Sequence, residues 1–291
     1  MLDFPALGFG CGLRVPHYEK FLTSPSTSVD FIEVIAETFI DWTDGTRLCS
    51  REILEKVREN YPVAVHGVSL SLGSQINLEH LKRVKSLLDE IQASWFSDHL
   101  CWTGTQGQSQ HDLFPLPYNE EAIRAVVENI LRVQDFLKRP ILIENLSSYV
   151  SFESSEMQEW EFLSEIARRS DCGLLLDINN IYVSSRNHHF NPQVYLDSIP
   201  FERVGQIHLA GHDDRGDIVA DSHSAPVCDA VWDLYAQYAR RHGVKSTLIE
   251  WDDLIPPWER LEAEVLKAKS VAEMNYGRPA KTLASRTAAP L

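Results

Sequence analysis

Positive charge is scarce in this 291-residue chain: 27 lysines and arginines face 42 aspartates and glutamates, a formal net charge of −15. A phosphate backbone is repelled by such a surface, so no nucleic acid partner is expected, whereas a metal cation or a basic peptide is electrostatically easier. Cysteine is sparse as well. Cys11, Cys49, Cys101, Cys172 and Cys228 are scattered, odd in number and form no CxxC pair, which argues against a disulfide framework or a zinc ribbon. No apolar run approaches the ~20 residues of a membrane helix, so no membrane association is expected. The stretch "MLDFPALGFGCG" lacks a basic segment followed by an apolar one, and the cytoplasm is the expected location. Within it, "GFGCG" (8–12) lacks the GxGxxG spacing of a dinucleotide turn. No internal repeat, low-complexity tract or linker divides the chain.

What is present is an alternation. Eight short apolar runs read as strands: "LGFGCGLR" (7–14), "VDFIEVIA" (29–36), "VAVHGVSL" (63–70), "ASWFSDHL" (93–100), "PILIENL" (140–146), "CGLLLDIN" (172–179), "VGQIHLAG" (204–211) and "STLIEWD" (246–252). Helical stretches lie between them. Residues 77–92 start at a candidate Asn77 cap, 119–138 at Asn119 with acidic first-turn residues, and 191–199 place Pro192 at the first helical position. Residues 226–243 end in a basic turn and a glycine. Eight β/α units in series predict an α/β fold, a single-domain TIM-type (β/α)8 barrel over residues 1–276. The tail 277–291 has little hydrophobic periodicity and is expected to be disordered.

The strand ends carry the chemistry. His66, Asp98-His99, Glu144-Asn145, Asp177 with Asn179, His208 and Glu250 end six consecutive strands. That end of a barrel is the face where active sites are built. Period-two alternation sends His66, Glu144, Asp177, His208 and Glu250 inward, with Val63, Val65, Ile141, Ile143, Leu174, Leu176, Ile207, Leu209, Ile249 and Trp251 facing the helices. Gln206 and Ala210 share the inward parity of His208. Taken singly, a strand-end histidine is an ordinary hydrogen-bonded residue and a strand-end aspartate caps the next helix. Six together require six coincidences of placement. Crowded carboxylates repel one another and lose hydration, and cations relieve both costs. Three histidines and three carboxylates exceed one ion's needs, so two or three metals are expected, with Glu144 or Glu250 bridging. Nitrogen and oxygen donors without thiolate suit iron, manganese or zinc. Asp221 and His223, two apart in "ADSHSAP" (220–226), can pinch an ion if that loop bends. His17, His80, His111, His188, His189 and His242 read as surface or loop residues. His212 reads as a loop residue over the site, binding substrate or a supporting carboxylate.

The segments "GLRVPHY" (12–18), "FIEV" (31–34), "HGVSLSLGS" (66–74), "SDHLCW" (97–102), "LFPLPY" (113–118), "ILIENLSSY" (141–149), "LLLDINNIYV" (174–183), "IHLAGH" (207–212), "DSHSAPV" (221–227) and "IEWDD" (249–253) span nearly the whole chain. As a set they resemble the multinuclear non-haem iron-dependent oxidative enzymes, whose members include MbnB and TglH. The resemblance implies a TIM-type barrel with two or three iron ions, mixed Fe(II)/Fe(III), and O2 as co-substrate. It matches His66, His99, Glu144, Asp177, His208, Asp221, His223 and Glu250 to metal-ligand positions. Asn179, Asn180, Asn145, Glu33 and His212 stand as further ligands or supporting residues, and Arg14 and His212 as candidates for orienting substrate. The activity implied is oxidation of cysteine residues in a ribosomally made precursor peptide, whose leader a small partner protein recognises. After the second strand the chain departs from the family pattern, with Glu37-Thr38 where Glu-Asn is common. The alternative for such a barrel is a zinc- or manganese-dependent hydrolase or sugar isomerase.

Overall fold

The computed structural model describes residues 4–25, 28–40, 49–105 and 108–276; the expected disordered tail lies outside them. Eight parallel strands close a barrel in the order β1-β12-β9-β8-β7-β4-β3-β2. They are β1 (Phe9–Gly12), β2 (Phe31–Ile35), β3 (Val63–Gly67), β4 (Phe96–His99), β7 (Leu142–Glu144), β8 (Gly173–Asp177), β9 (Val204–Leu209) and β12 (Ser246–Ile249). Each falls inside one of the eight runs read from the sequence. Two antiparallel hairpins, which the strand pattern did not reveal, stand at the strand ends: β5 (Trp102–Thr105) with β6 (Gln108–Phe114), and β10 (His212–Asp214) with β11 (Val219–Asp221).

The helices are α1 (Tyr18–Thr23), α2 (Ala36–Phe39), α3 (Cys49–Arg58), α4 (Leu78–Glu90), α5 (Glu120–Leu137), α6 (Glu159–Ser170), α7 (Ile178–His188), α8 (Pro192–Ser198), α9 (Asp229–His242) and α10 (Trp258–Asn275). Their starts are local chemistry. Asn77 Oδ1 accepts from the backbone N–H of Glu79 and His80 (3.0 and 3.2 Å), and Asn119 Oδ1 from Ala122 (3.0 Å), which satisfies amides that have no partner in the first turn. Pro192 opens α8, and Gly243, at φ +86°, ends α9. No helix among the described residues is long and apolar enough to cross a membrane.

Strand parity divides the core. Val63, Val65, Ile141, Ile143, Leu174, Leu176, Ile207, Leu209, Ile249 and Trp251 pack in the shell between barrel and helices. Phe31, Ala64, Trp95, Leu142, Leu175 and Leu248 form a separate, fully buried cluster inside the barrel. These six side chains plug the barrel beneath its C-terminal mouth. Two of the histidines read as surface or loop residues are buried. His17 Nε2 bonds to the Pro256 carbonyl oxygen (2.8 Å), and its ring meets Trp258 edge-on; His80 lies 3.3 Å from Glu37. Each sits where two elements pack, a tertiary circumstance that local sequence does not carry. The side chain of His111 lies outside the described residues.

Candidate metal centre

Two residues above the apolar plug, the same strands turn inward with ionisable groups. Glu144, at the end of β7, is central. Its Oε2 lies 3.2 Å from His66 Nε2 and 3.3 Å from His99 Nε2, and its Oε1 lies 3.7 Å from His208 Nδ1. Glu250 follows β12, and its Oε2 approaches His208 Nδ1 at 2.9 Å and His223 Nδ1 at 3.3 Å. His223 Nε2 lies 2.7 Å from Asp221 Oδ1 and 4.0 Å from Asp177 Oδ2. Its Nδ1 is 3.1 Å from Asp252 Oδ2.

Three sets result, each with donor atoms mutually within 4.8 Å: His66, His99 and Glu144; Glu144, Asp177, His208 and Glu250; His223, Glu250 and Asp252. Glu144 belongs to the first two and Glu250 to the last two. Asp252 was missed in the sequence. Its signal was available, since period two carried one step beyond inward Glu250 points at position 252. Asp221 reaches the cluster through His223, as the 221–223 spacing allowed. The bend comes from His223 itself, at φ +45°, and from Gly211, where a Cβ would sit 2.0 Å from the Ala225 carbonyl oxygen. Only a residue without a side chain lets that loop lie against the end of β9.

A second layer aims the imidazoles. The Gly67 carbonyl, which can only accept, receives a hydrogen bond from His99 Nδ1–H (3.1 Å), which leaves Nε2 facing Glu144. His66 Nδ1 bonds Ser97 Oγ (2.8 Å), whose own proton goes to the Val65 carbonyl oxygen. His208 Nε2 faces Glu33 at 3.1 Å. Gln206 bridges this pair, donating to Glu33 Oε2 (2.6 Å) while its Oε1 accepts from the Trp95 indole (2.6 Å). Glu33 therefore stands behind His208, on the side away from Glu144 and Glu250.

The asparagines separate by role. Asn145 spends both ends of its amide on the Asp177 peptide, accepting from its N–H (2.9 Å) and donating to its carbonyl (3.0 Å). It braces β8 against β7. Asn180 donates to the Asn145 carbonyl (3.1 Å), and its Oδ1 is buried without a partner beside the mouth. Asn179 donates to Asp221 Oδ1 (3.0 Å) and meets His212 Nδ1 at 2.8 Å. His212 opens β10 instead of lying in a loop. Its ring rests on Tyr182, and it is absent from the lining of the cavity above the cluster. It supports Asp221 through Asn179, and its pairing with Asp221 in the hairpin fixes its position.

Burial sets the electrostatics. Glu144 is 1% exposed, and Asp177 and His208 are fully buried. With protons as the only neutralising species, burial pushes Glu144 well above the usual carboxylate range and Asp177 up to about 7. Burial also lowers His66 and His99 below the ordinary histidine value, with neighbouring histidines adding to the effect. It acts the same way on His208 and His223, but Glu33 and Glu250 outweigh it at the first and Asp221 and Glu250 at the second, so both are raised. Those two imidazoles in turn overcome burial at Glu250 and hold it well below the carboxylate range. Glu144 Oε2 and Asp177 Oδ2 are buried without a hydrogen bond, the first 3.2 Å from His66 Nε2 and the second 4.0 Å from His223 Nε2. Such orphans cost about 1–3 kcal/mol each, more when charged. Both point into one cluster, where cations would satisfy them together. The donor set fits a multinuclear site with nitrogen and oxygen ligands.

Above the cluster opens a cavity of about 560 Å³, lined on the metal side by His66, His99, His223 and Glu250. Arg14 forms part of its wall. The guanidinium pairs with Asp252 and its Nε donates to the Trp251 carbonyl (3.2 Å). The two hairpins contribute Asp112 and Leu113 from β6 and Asp221 from β11.

Comparison with known proteins gives a family and a fold. The profile described as RiPP precursor modification enzyme MbnB/TglH/ChrH matches residues 8–273. A UPF0276 protein of Anaeromyxobacter sp. (strain Fw109-5) is 52% identical over 91% of this chain and 93% of its own length. A UPF0276 protein of Caulobacter vibrioides is 50% identical over 91% and 94%. Among solved structures, D-allulose 3-epimerase from Methylomonas sp. superposes with a TM-score of 0.59 at 14% identity, covering 94% of this chain and 99% of that one. At that identity the likeness is one of fold.

Proposed function

This chain belongs to the MbnB/TglH/ChrH family of RiPP precursor modification enzymes, and from that premise we propose that it is an iron- and O2-dependent enzyme that oxidises cysteine residues of a ribosomally made precursor peptide. The observation that carries the reading is the sharing of Glu144 and Glu250 among three adjacent donor sets. A single-ion site needs about three protein ligands and no such overlap, and the family match favours peptide modification over a multinuclear hydrolase. Two or three irons, mixed ferrous and ferric, would supply the redox chemistry and stabilise a substrate thiolate.

The protein's own part is positional. His66 and His99 would hold one ion with Glu144. Asp177 and His208 would hold the next with Glu144 and Glu250, and His223 with Glu250 and Asp252 the third, while Asp221 meets the opposite nitrogen of His223. Gly67, Ser97 and Glu33 keep the imidazoles in the tautomer and orientation that ligation needs. Leu13, Val15, Ile35 and Phe39 on the cavity wall exclude water from the reacting side chain. Arg14 is placed to orient the peptide backbone as it enters. A small partner protein presents the peptide's leader, and the reaction takes place in the cytoplasm, where such precursors are made.

The test uses protein purified without oxygen and a cysteine-containing precursor peptide, followed by mass spectrometry. The reading expects a mass change that requires both iron and O2 and disappears when the cysteine is replaced by serine. Turnover of a sugar or phosphodiester with zinc or manganese and no oxygen requirement would overturn it.

A further inference from the structure

A second cavity, about 330 Å³, lies between the loop that follows β7 and the end of α7. One loop walls both cavities. Leu146, Ser147 and Tyr149 face the metal-side cavity, while Ser148, Val150, Ser151 and Phe152 face the second. The loop is thus the wall the two cavities share, and a chain crossing it would lead from one to the other.

The lining of the second cavity is specific in kind. Trp160 packs on Phe190 and Tyr195 with ring centroids 5.4 and 5.6 Å away, and Tyr118 and Phe152 complete an aromatic wall. Val150 is 56% exposed at the rim. Two carboxylates, Glu156 and Glu159, belong to the lining, and no lysine or arginine does. Glu159 is anchored by the Tyr195 hydroxyl, which donates to its Oε1 (2.9 Å). Burial pushes its carboxyl up to about 7, a cost that a bound cation relieves. His188 Nε2 is tied to Ser148 Oγ (2.8 Å). An anion finds little here, since the Glu161 carboxylate already takes the Gln158 N–H (2.9 Å) at the start of α6. Aromatic faces above a fixed carboxylate are the chemistry that accepts a cation on an apolar stem.

We propose that this cavity is a specificity subsite for a lysine or arginine side chain of the peptide substrate, the stem lying against Trp160 and Phe190 and the charge meeting Glu159. The identity of the occupant rests on the peptide-modifying reading; the affinity of the cavity for a cationic side chain does not. The net charge of −15 favours the approach of a basic segment.

The test is titration calorimetry on the as-purified protein with three capped tripeptides, acetyl-Gly-Lys-Gly-amide and its norleucine and glutamate counterparts. It requires neither turnover nor any particular metal, so its outcome is separable from the oxidation chemistry. The lysine probe is expected to bind at least about tenfold more tightly than the norleucine probe, and Glu159→Gln to remove about that factor for lysine alone. The glutamine keeps an oxygen for the Tyr195 hydroxyl, and circular dichroism checks that the variant is folded. Equal binding of lysine and norleucine, preference for glutamate, no measurable binding, or lysine binding indifferent to Glu159→Gln would each overturn the proposal.

Discussion

Two layers of the same barrel, one inward position apart, have opposite character. Phe31, Ala64, Leu142, Leu175 and Leu248 lie below; Glu33, His66, Glu144, Asp177 and Glu250 lie two residues further along the same strands. Backbone, register and burial are shared, so the difference comes from side-chain chemistry alone. The lower layer removes apolar surface from water and stabilises the fold. The upper layer confines carboxylates and imidazoles at distances where protons or metal ions must neutralise them. A rigid plug holding a costly polar cluster is what a preorganised metal site requires. Gln206 joins the layers, linking Trp95 below to Glu33 and His208 above.

If the layers divide the labour in this way, substitutions should separate cleanly. Glu144→Gln is expected to lower peptide oxidation by at least about 10³-fold, since two donor sets lose their shared oxygen. Burial already drives the metal-free Glu144 carboxyl toward its neutral form, so the neutral glutamine should leave the melting temperature of the chelated protein close to that of wild type; calorimetry of the chelated proteins checks this. Trp95→Ala should do the reverse, costing about 3–5 kcal/mol of stability by denaturant titration. Glu33→Gln, acting through His208, should weaken metal binding about 10- to 100-fold while leaving the melting temperature of the chelated protein nearly unchanged.

The smallest effect is pH dependence. Glu144, Asp177, His208 and His223 are raised, so they carry protons that metal binding must release near neutrality, Asp177 at about 7. His66 and His99 are lowered and already neutral there. Apparent metal affinity should therefore rise as pH goes from 6 to 8, by up to about tenfold per pH unit for each proton released. Calorimetry in buffers of different ionisation enthalpy counts those protons. An affinity that is flat across the range would mean that the upper layer is not neutralised by protons as described.

Much of this was legible in the residues. The period-two pattern places His66, Glu144, Asp177, His208 and Glu250 on one axis because a parallel strand buried on both faces has only two directions to offer. Asn77, Asn119 and Pro192 announce their helices because capping is local. The rest depends on closure. That Asp252 joins His223, that Glu33 supports His208 from across the barrel, and that Asn145 braces a peptide follow from contacts between distant segments. The β10/β11 hairpin escaped because its strands, three residues each, are too short for alternation to show, and the β5/β6 hairpin because β6 opens with the polar run QSQHD. His212 reads from the sequence as a loop residue over the site, yet the chain turns at Gly211 into β10 and carries it behind Asn179.

The central claim is that the upper layer holds more than one iron through shared carboxylates. Mössbauer spectroscopy with iron quantification on anaerobically purified protein tests it most directly. The account predicts two or three irons per chain, with spin coupling that is lost or altered in Glu144→Gln. One magnetically isolated ion per chain, or a spectrum unchanged by that substitution, would contradict it.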